Sequence, residues 1–264
     1  MLKQVISIGI LLALALVSAA EECWLEAEKF RFAPGEDIKI DFKTGENFVA
    51  GLWEGKMNKA EVIQWFSISG MKDLSKEAKP TRGNNVTLKV LQEGTQMIVM
   101  QTNTQSRNWE VGKFTPYLED NGLDDIVDGR RTENVLEAPV KEEYTRYTKL
   151  LVQAGEKTDD TYKKKAGLRL EIIPESNPYT LRPGDHLQCR VLYQGKPSPH
   201  TLVKVWSRLN RTTFLQTMYT EDDGTVQFPI STKGGWMVST VKMIPGEKPG
   251  VNWHSLWGSL VFGI

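Results

Sequence analysis

Two segments of the chain repeat one pattern of hydrophobic and polar positions. Residues 30–42 (FRFAPGEDIKIDF) align without gaps on residues 179–191 (YTLRPGDHLQCRV). Each copy has Pro-Gly and an acidic residue, after which apolar and polar residues alternate. Pro-Gly suits a turn, and period-two alternation is typical of a strand with one buried face. Because such a turn commonly precedes the second strand of an immunoglobulin-like sandwich, the repeat predicts two immunoglobulin-like β-sandwich domains, at residues 21–112 and 166–264.

Other runs of β-branched and apolar residues predict a mostly β fold class in both halves. These runs are separated by Gly, Asn and Lys clusters that favour turns. The sequence Glu221-Asp222-Asp223-Gly224 lies between two such runs and predicts a hairpin turn, because its spacing lacks the ligand-rich loop of a calcium site. The runs are residues 62–68, 86–90, 96–100, 168–172, 202–206 and 226–230.

Residues 113–165 depart from the strand pattern and predict a short helical insert with a linker. Thr115-Pro116 is a good N-cap and first-turn pair, which predicts a short helix over residues 117–121. Residues 142–153 place apolar side chains on one helical face and predict a second helix. Residues 156–165 are charged and predict an exposed linker. The apolar face of the second helix comprises Tyr144, Tyr147, Leu150 and Leu151.

Residues 1–20 predict a signal peptide. Lys3 gives a positive start, residues 5–17 are largely apolar, and Ser18-Ala19-Ala20 supplies the small residues that the peptidase requires. An apolar run of roughly 13 residues is shorter than the about 20 that a membrane-spanning helix needs. Cleavage near Ala20 therefore predicts a periplasmic or secreted protein with no transmembrane segment in the mature chain.

Composition and charge narrow the class of protein. Hydrophobic residues make up 40% and charged residues 25% of the chain, which is typical of a globular protein. Lys plus Arg and Asp plus Glu both number 33, so no global field favours nucleic acid as a partner. Cys23 and Cys189 are too few for a disulfide scaffold, although an oxidising compartment permits a single bridge between them.

Candidate chemistry is sparse, and no catalytic motif is present, so the sequence predicts a protein that is not an enzyme. His254, flanked by aromatic residues, is a weak metal candidate, and a structural role for it is favoured. Trp65, Trp206 and Trp236 lie in strand-like runs and are predicted core residues. The tryptophans considered for exposed contact with a glycan or a protein partner are Trp53, Trp109, Trp253 and Trp257.

Several short motifs together resemble one family over nearly the whole mature chain. They resemble the NikM-like, nickel-uptake-associated periplasmic proteins of the domain-of-unknown-function 4198 family. The motifs are Cys23-Trp24-Leu25-Glu26, Tyr117-Leu118-Glu119, Gly122-Leu123, and residues 144–149 (YTRYTK), 177–179 (NPY), 181–185 (LRPGD), 195–197 (GKP) and 253–262 (WHSLWGSLVF).

The resemblance implies a part in transition-metal uptake, with a metal-uptake system as partner. Family members typically carry a histidine where Glu21 stands and often a second one where Lys242 precedes Met243, so the resemblance also implies nickel, cobalt or copper as cofactor. Glu21 is accordingly a second weak metal candidate. The alternative interpretation is a cell-envelope glycan-binding or protein-interaction module.

Overall fold

The computed structural model describes residues 22–52, 59–78 and 85–264. The predicted signal peptide, Glu21 and Trp53 lie outside these residues. Within them the chain is built mainly of strands, which confirms the mostly β class. The strands are β1 Glu22–Ala27, β2 Arg31–Phe32, β3 Asp37–Glu46, β4 Val49–Leu52, β5 Ala60–Ser67, β6 Gly70–Asp73, β7 Asn85–Lys89, β8 Gly94–Thr102, β9 Gln105–Trp109, β10 Val140–Ala154, β11 Leu170–Pro174, β12 His186–Tyr193, β13 Lys196–Pro197, β14 Leu202–Leu209, β15 Thr212–Tyr219, β16 Thr225–Pro229, β17 Gly235–Pro245 and β18 Trp253–Gly263. The helices are α1 Ser75–Ala78, α2 Phe114–Asp120 and α3 Asp124–Thr132, and 3-10 turns lie at Thr161–Lys163 and Pro178–Thr180.

The two copies of the repeated pattern form β3 and β12, as predicted. Each strand follows a turn in which the glycine has a positive φ, at Gly35 (+90°) and Gly184 (+104°). Alternate side chains of both strands are buried, and the aligned pair Ile40 and Cys189 is fully enclosed. The period-two signal therefore identified the buried face correctly in both halves.

Three layers of sheet make up the body. The central sheet runs β15-β14-β17-β18-β10-β8-β5-β6, with β2 and β9 also pairing with β10. Outer sheet one contains β1, β3, β4 and β7, and outer sheet two contains β11, β12, β13 and β16. Leu150 and Val152 of β10 share a core with outer sheet one, whereas Leu151 shares a core with outer sheet two. The central sheet is thus packed on both faces, as in two sandwiches that share a layer.

The helix predicted for residues 142–153 is wrong, because these residues form the long central strand β10. β10 pairs with β18 in parallel, from Glu142 opposite Trp253 to Leu150 opposite Val261, and with β8 and β9 in antiparallel fashion. A strand covered on both faces has apolar residues on both sides, so the period of two disappears from its sequence. A short apolar run of this kind cannot be told from a helix by periodicity alone.

The central sheet contains strands from both of the predicted domains. Strands β5, β6, β8, β9 and β10 come from the first half and the middle of the chain, and β14, β15, β17 and β18 come from the second half, yet they form one sheet. Sandwich packing is present, but an arrangement of two separate sandwiches is not confirmed. The domain boundaries at residues 112 and 166 stay a prediction.

Helices α2 and α3 cover one end of the central sheet. α2 was predicted, but its N-cap is Lys113, which makes no side-chain capping bond, and Pro116 lies inside its first turn. α3 was not predicted, because its apolar face has only Ile126 and Val127. The two helices pack on Trp257 and Val241 in a third core cluster. No helix within the described ranges is long and apolar enough to cross a membrane.

The two cysteines are buried and unbridged. Cys23 belongs to the core of outer sheet one and Cys189 to the core of outer sheet two, on opposite faces of the central sheet. Cys189 is fully enclosed, as predicted from its inward position in the repeat, and burial raises the pKa of its thiol. Both residues behave as small hydrophobic groups.

Candidate ligand-binding cleft

A cleft of about 350 Å³ opens where outer sheet one meets the central sheet and α2. Outer sheet one contributes Glu22 and the turn after β3, α2 contributes Tyr117, and the central sheet contributes β14, β15 and Trp257. The wall therefore combines residues from both halves of the chain. A volume of this size suits a small molecule.

Strand alternation explains why the central sheet presents its polar and aromatic side chains to this cleft. Lys204 and Trp206 are two positions apart on β14, so they lie on one face. Their neighbours on β15 are Thr217 and Leu215, which also line the cleft. On the other side of β14, Ser239 of β17 lies opposite Lys204.

Glu22, the first residue of β1, is held in the cleft wall by two donors. Its side chain is 7% exposed. Oε1 accepts hydrogen bonds from Trp206 Nε1 at 3.2 Å and from Ser239 Oγ. Among the residues the structure describes, Oε2 has no hydrogen-bond partner. Glu22 Oε2 is itself enclosed by protein, and we refer to it as the open oxygen because its hydrogen bonding is incomplete.

Burial raises the pKa of Glu22, because removing the carboxylate from water disfavours its charged form. The hydrogen bond from Ser239, the positive charge of Lys204 and the hydrogen bond from Trp206 act in the opposite direction. Burial outweighs them, so the charged form of Glu22 is less stable in the cleft wall than it is in water.

Lys204 connects the central sheet to α2. Its ammonium donates to Asn121 Oδ1 at 3.2 Å, and Asn121 Nδ2 donates to the backbone oxygen of Tyr117 at 2.8 Å. Asn121 is the C-cap of α2 and directly follows its last residue, Asp120. The amide therefore fixes both the end of the helix and the position of the ammonium.

A second buried carboxylate, Glu142 of β10, stabilises the wall behind Tyr117. It accepts from Arg107 Nε at 2.7 Å, from Tyr117 Oη at 3.3 Å, and from Trp109 Nε1 and Ser255 Oγ. The Tyr117 ring stacks on Trp109 with centroids 4.6 Å apart. Every donor here comes from the protein, so Glu142 has a structural role.

Three of the four tryptophans considered for exposed contact, Trp109, Trp253 and Trp257, pack together in the third core cluster instead. Trp257 is buried, so the prediction of its exposure is wrong, although its edge reaches the cleft. Trp109 and Trp253 are half-buried against the same cluster. Residues of α2 and α3 pack against these indoles, and α3 was not predicted from the sequence. Contact of these residues with a glycan or a partner stays a prediction.

The predicted core tryptophans Trp206 and Trp236 are buried, and Trp65 is half-buried against the core.

His254 lies in a buried network between β18 and β10. Its Nε2 is 3.0 Å from Thr145 Oγ1 and its Nδ1 is 3.2 Å from Glu247 Oε2. Arg169 binds Glu247 with two hydrogen bonds and lowers the pKa of that carboxyl to about 2. A hydroxyl, an imidazole and a carboxylate occur in this order in hydrolytic triads. Here Thr145 and His254 are only 3% and 5% exposed, which favours the structural role predicted for His254.

Of the two predicted metal ligands, the structure describes only His254. Glu21 lies outside the described residues, and His254 contacts Thr145 and Glu247 as above. Within residues 22–52, 59–78 and 85–264, no group of three or more His, Cys, Asp or Glu side chains is arranged to hold a metal ion.

Sequence reasoning missed Glu22, Lys204 and Asn121. Glu22 follows Glu21 in an acidic pair directly after the predicted signal peptide, and such a pair is typical of the polar start of a mature chain. Lys204 occupies a polar position in a loosely alternating strand. A pairing between the start of the chain and β14 carries no sequence signal, because 182 positions separate Glu22 from Lys204.

Comparison with known proteins identifies a family but no function. No curated protein sequence matches the chain. Solved structures that align with it include the D0-D1 domain of intimin (13% identity, 91% of this chain and 97% of that chain, TM-score 0.20). A tetra-tandem repeat from the extending region of a large adhesion protein aligns at 11% identity over 93% of this chain and 49% of that chain, with a TM-score of 0.24. A Salmonella α-2-macroglobulin variant aligns at 11% identity over 93% of this chain and 17% of that one, with a TM-score of 0.21. A family model matches residues 18–243, so the chain belongs to the family described as Domain of unknown function (DUF4198).

Proposed function

We propose that this protein is an exported, non-enzymatic binding protein that holds a small polar ligand in the cleft between β1, α2 and β14. The observation that carries the proposal is Glu22, a buried carboxylate in the cleft wall with one open oxygen. A buried polar atom without a partner is costly and is retained where a ligand or solvent completes its bonding. The first 20 residues support export, since they fit the requirements of a signal peptide.

Binding is favoured over catalysis by the way the cleft groups are used. Trp206 and Ser239 orient Glu22, and Asn121 holds Lys204. These contacts fix charges in place, which suits recognition of a ligand. The aromatic edges of Trp206 and Trp257 beside polar groups also suit a sugar ring, so a cell-envelope glycan is a ligand source that this chemistry supports.

The proposal is tested by following the indole N–H resonance of Trp206 while the exported protein is titrated. The panel contains neutral, cationic and anionic saccharides and small metabolites. We expect at least one class to shift this resonance, because Trp206 Nε1 donates to Glu22 in the cleft wall. If no member of the panel moves it, the cleft is not a binding site and the proposal fails.

A matched pair of variants assigns any binding to the cleft. Thr217→Trp places a large ring in the cleft wall on β15 and is expected to abolish binding. Thr212→Trp adds the same ring to the opposite face of the same exposed strand and is expected to leave binding unchanged. Equal effects of the two variants would place the ligand elsewhere.

A role in nickel, cobalt or copper uptake is implied by the family resemblance and is tested separately. Calorimetric titration of the exported protein with each metal ion measures binding without assuming a site. Flat heats for all three ions would remove the metal-uptake interpretation and leave the cleft proposal intact.

A further inference from the structure

We infer that β15, the outermost strand of the central sheet, pairs in antiparallel fashion with β15 of a second copy of this chain. The product is a two-fold dimer in which the two central sheets form one continuous sheet. This contact requires no ligand, so its failure would leave the cleft proposal standing.

The backbone of β15 is paired along one side only. β15 ends the central sheet, and it pairs with β14 without a break over all eight of its residues. The next residue, Thr220, also donates its backbone N–H to the backbone oxygen of Thr201. Because hydrogen bonding alternates along an antiparallel pair, the even-numbered residues bond to β14 and the odd-numbered residues direct their N–H and C=O groups outward. Among the described residues no other element supplies backbone hydrogen bonds to these outward groups, which belong to Thr213, Leu215, Thr217 and Tyr219.

β15 lacks the features that usually protect an exposed edge. Edge strands are commonly short, or they carry lysine, proline or a bulge. β15 is eight residues long and contains neither a charged residue nor a proline. At the other end of the same sheet, β6 has only four residues and includes Lys72 and Asp73. A long and neutral edge such as β15 is a template for pairing with another strand.

Exposed apolar side chains concentrate at the same edge. Phe214 is 55% exposed and Tyr219 is 52% exposed. These two lie on opposite faces of β15, because successive side chains of a strand alternate. Contiguous exposed apolar surface is typical of a protein interface. Four of the nine large apolar side chains that the described residues expose lie on β15 or at the adjoining end of β14: Leu209, Phe214, Leu215 and Tyr219.

The charges at the two ends of β15 favour a second copy of this chain as the partner. Arg211 directly precedes the strand, the acidic run Glu221-Asp222-Asp223 follows it, and all of these residues are exposed. A two-fold axis near Leu215 and Gln216 brings the start of each strand beside the end of the other, so Arg211 of one copy meets the acidic run of its partner. Parallel pairing would bring like charges together. The edge is therefore complementary to itself in the antiparallel orientation.

The first test measures the mass of the exported protein by sedimentation equilibrium at roughly 1 to 100 µM, the range suited to a small interface. We expect twice the mass of one chain at the upper end of this range. Phe214→Lys adds a charge to the interface in both copies and should weaken association at least about tenfold. Leu91→Lys, which changes an exposed apolar residue beside β7, should leave association unchanged.

Hydrogen exchange locates the contact in the unmodified protein. In the dimer the amides of Thr213, Leu215 and Thr217 gain partners across the new strand pair, whereas the even-numbered amides already bond to β14. We therefore expect only the odd-numbered amides to become protected as the protein concentration rises. Protection of the even-numbered amides also checks that each variant is folded.

A charge swap tests the antiparallel orientation. Arg211→Glu places like charges together at both ends of the strand pair and should weaken the dimer about fivefold. Adding Glu221→Arg should restore it, since the two charges are then exchanged. Parallel pairing predicts no such recovery.

The inference is overturned if the protein stays monomeric at the highest concentration. Unprotected odd-numbered amides in that monomer would leave the edge to a different partner, and amides protected at every concentration would mean that another segment of this chain covers it. A dimer that survives Phe214→Lys, or that protects neither Leu215 nor Thr217, uses another surface and also overturns the inference.

Discussion

Replacing Lys149 by methionine is expected to destabilise the protein by about 3–5 kcal/mol, because it leaves a buried carboxylate without its counter-ion. Lys149 of β10 and Glu171 of β11 are 1% and 3% exposed, and Nζ lies 2.5 Å from Oε1. Lys149 also donates to the backbone oxygen of Ile172 at 3.3 Å. The pair lies between the central sheet and outer sheet two. Urea denaturation at neutral pH measures the loss in the free energy of unfolding.

The control for this prediction is the ion pair between Lys163 and Asp160, whose side chains are exposed. Lys163→Met should leave the midpoint of unfolding nearly unchanged, because surface pairs contribute little. A second change, Glu171→Gln added to Lys149→Met, should recover part of the stability, since it removes the unpaired charge and keeps one of the two oxygens that accept from the backbone amides of Ala166 and Gly167. A loss below about 1 kcal/mol for Lys149→Met would mean that the pair is solvated.

Replacing Glu22 by glutamine is expected to stabilise the ligand-free protein at neutral pH by about 1–2 kcal/mol, because an uncharged amide is less costly to bury than a carboxylate with an open oxygen. Binding sites commonly hold such costly groups, so removing one raises stability and lowers function. Urea denaturation of both proteins at several pH values measures the difference.

The pH dependence of this gain follows from the raised pKa of Glu22. A carboxyl whose pKa is higher in the folded state than in the unfolded state contributes stability at low pH, and that contribution is lost as the pH rises through the folded-state pKa. The advantage of Glu22→Gln should therefore be complete above the folded pKa. It should disappear below the unfolded value of about 4.3. Glu46→Gln, which removes the same charge from an exposed position, is the control variant. A Glu22→Gln variant that is less stable than the parent at neutral pH would contradict the claim that the buried carboxyl group of Glu22 destabilises the folded protein.

Strands β3 and β12 of the outer sheets could be predicted from the sequence, whereas β10 of the central sheet could not. β3 and β12 each bury one face, so Ile38, Ile40 and Phe42 alternate with polar residues and reveal the strand. β10 is covered on both faces, and its Leu150-Leu151-Val152 run gives no period. Its parallel partner β18 lies more than 100 residues further along the chain, and nothing local encodes that pairing.

The candidate site was hidden for a related reason. Its groups are ordinary residues, Glu22, Lys204 and Asn121, that become unusual only through burial and through contacts across long separations. Composition and spacing can exclude motifs, but they do not report which of 33 acidic residues is enclosed by protein. The resemblance led to the correct family, and its expected histidine positions lie at Glu21 and Lys242, so it gave no indication of Glu22.

The proposed binding site depends most on the protonation of the Glu22 carboxyl group. Titration of this carboxyl group in the ligand-free protein is the most direct test of the site. The carboxyl carbon chemical shift of Glu22, followed by NMR against pH, reports its protonation in the presence of the neighbouring Lys204, Glu46 and Asp120. We predict a midpoint above the ordinary glutamate pKa of about 4.3, because burial outweighs the hydrogen bonds and the positive charge near it. A midpoint at or below that value would show that the carboxylate is solvated or paired, and it would contradict the binding site proposed for this cleft.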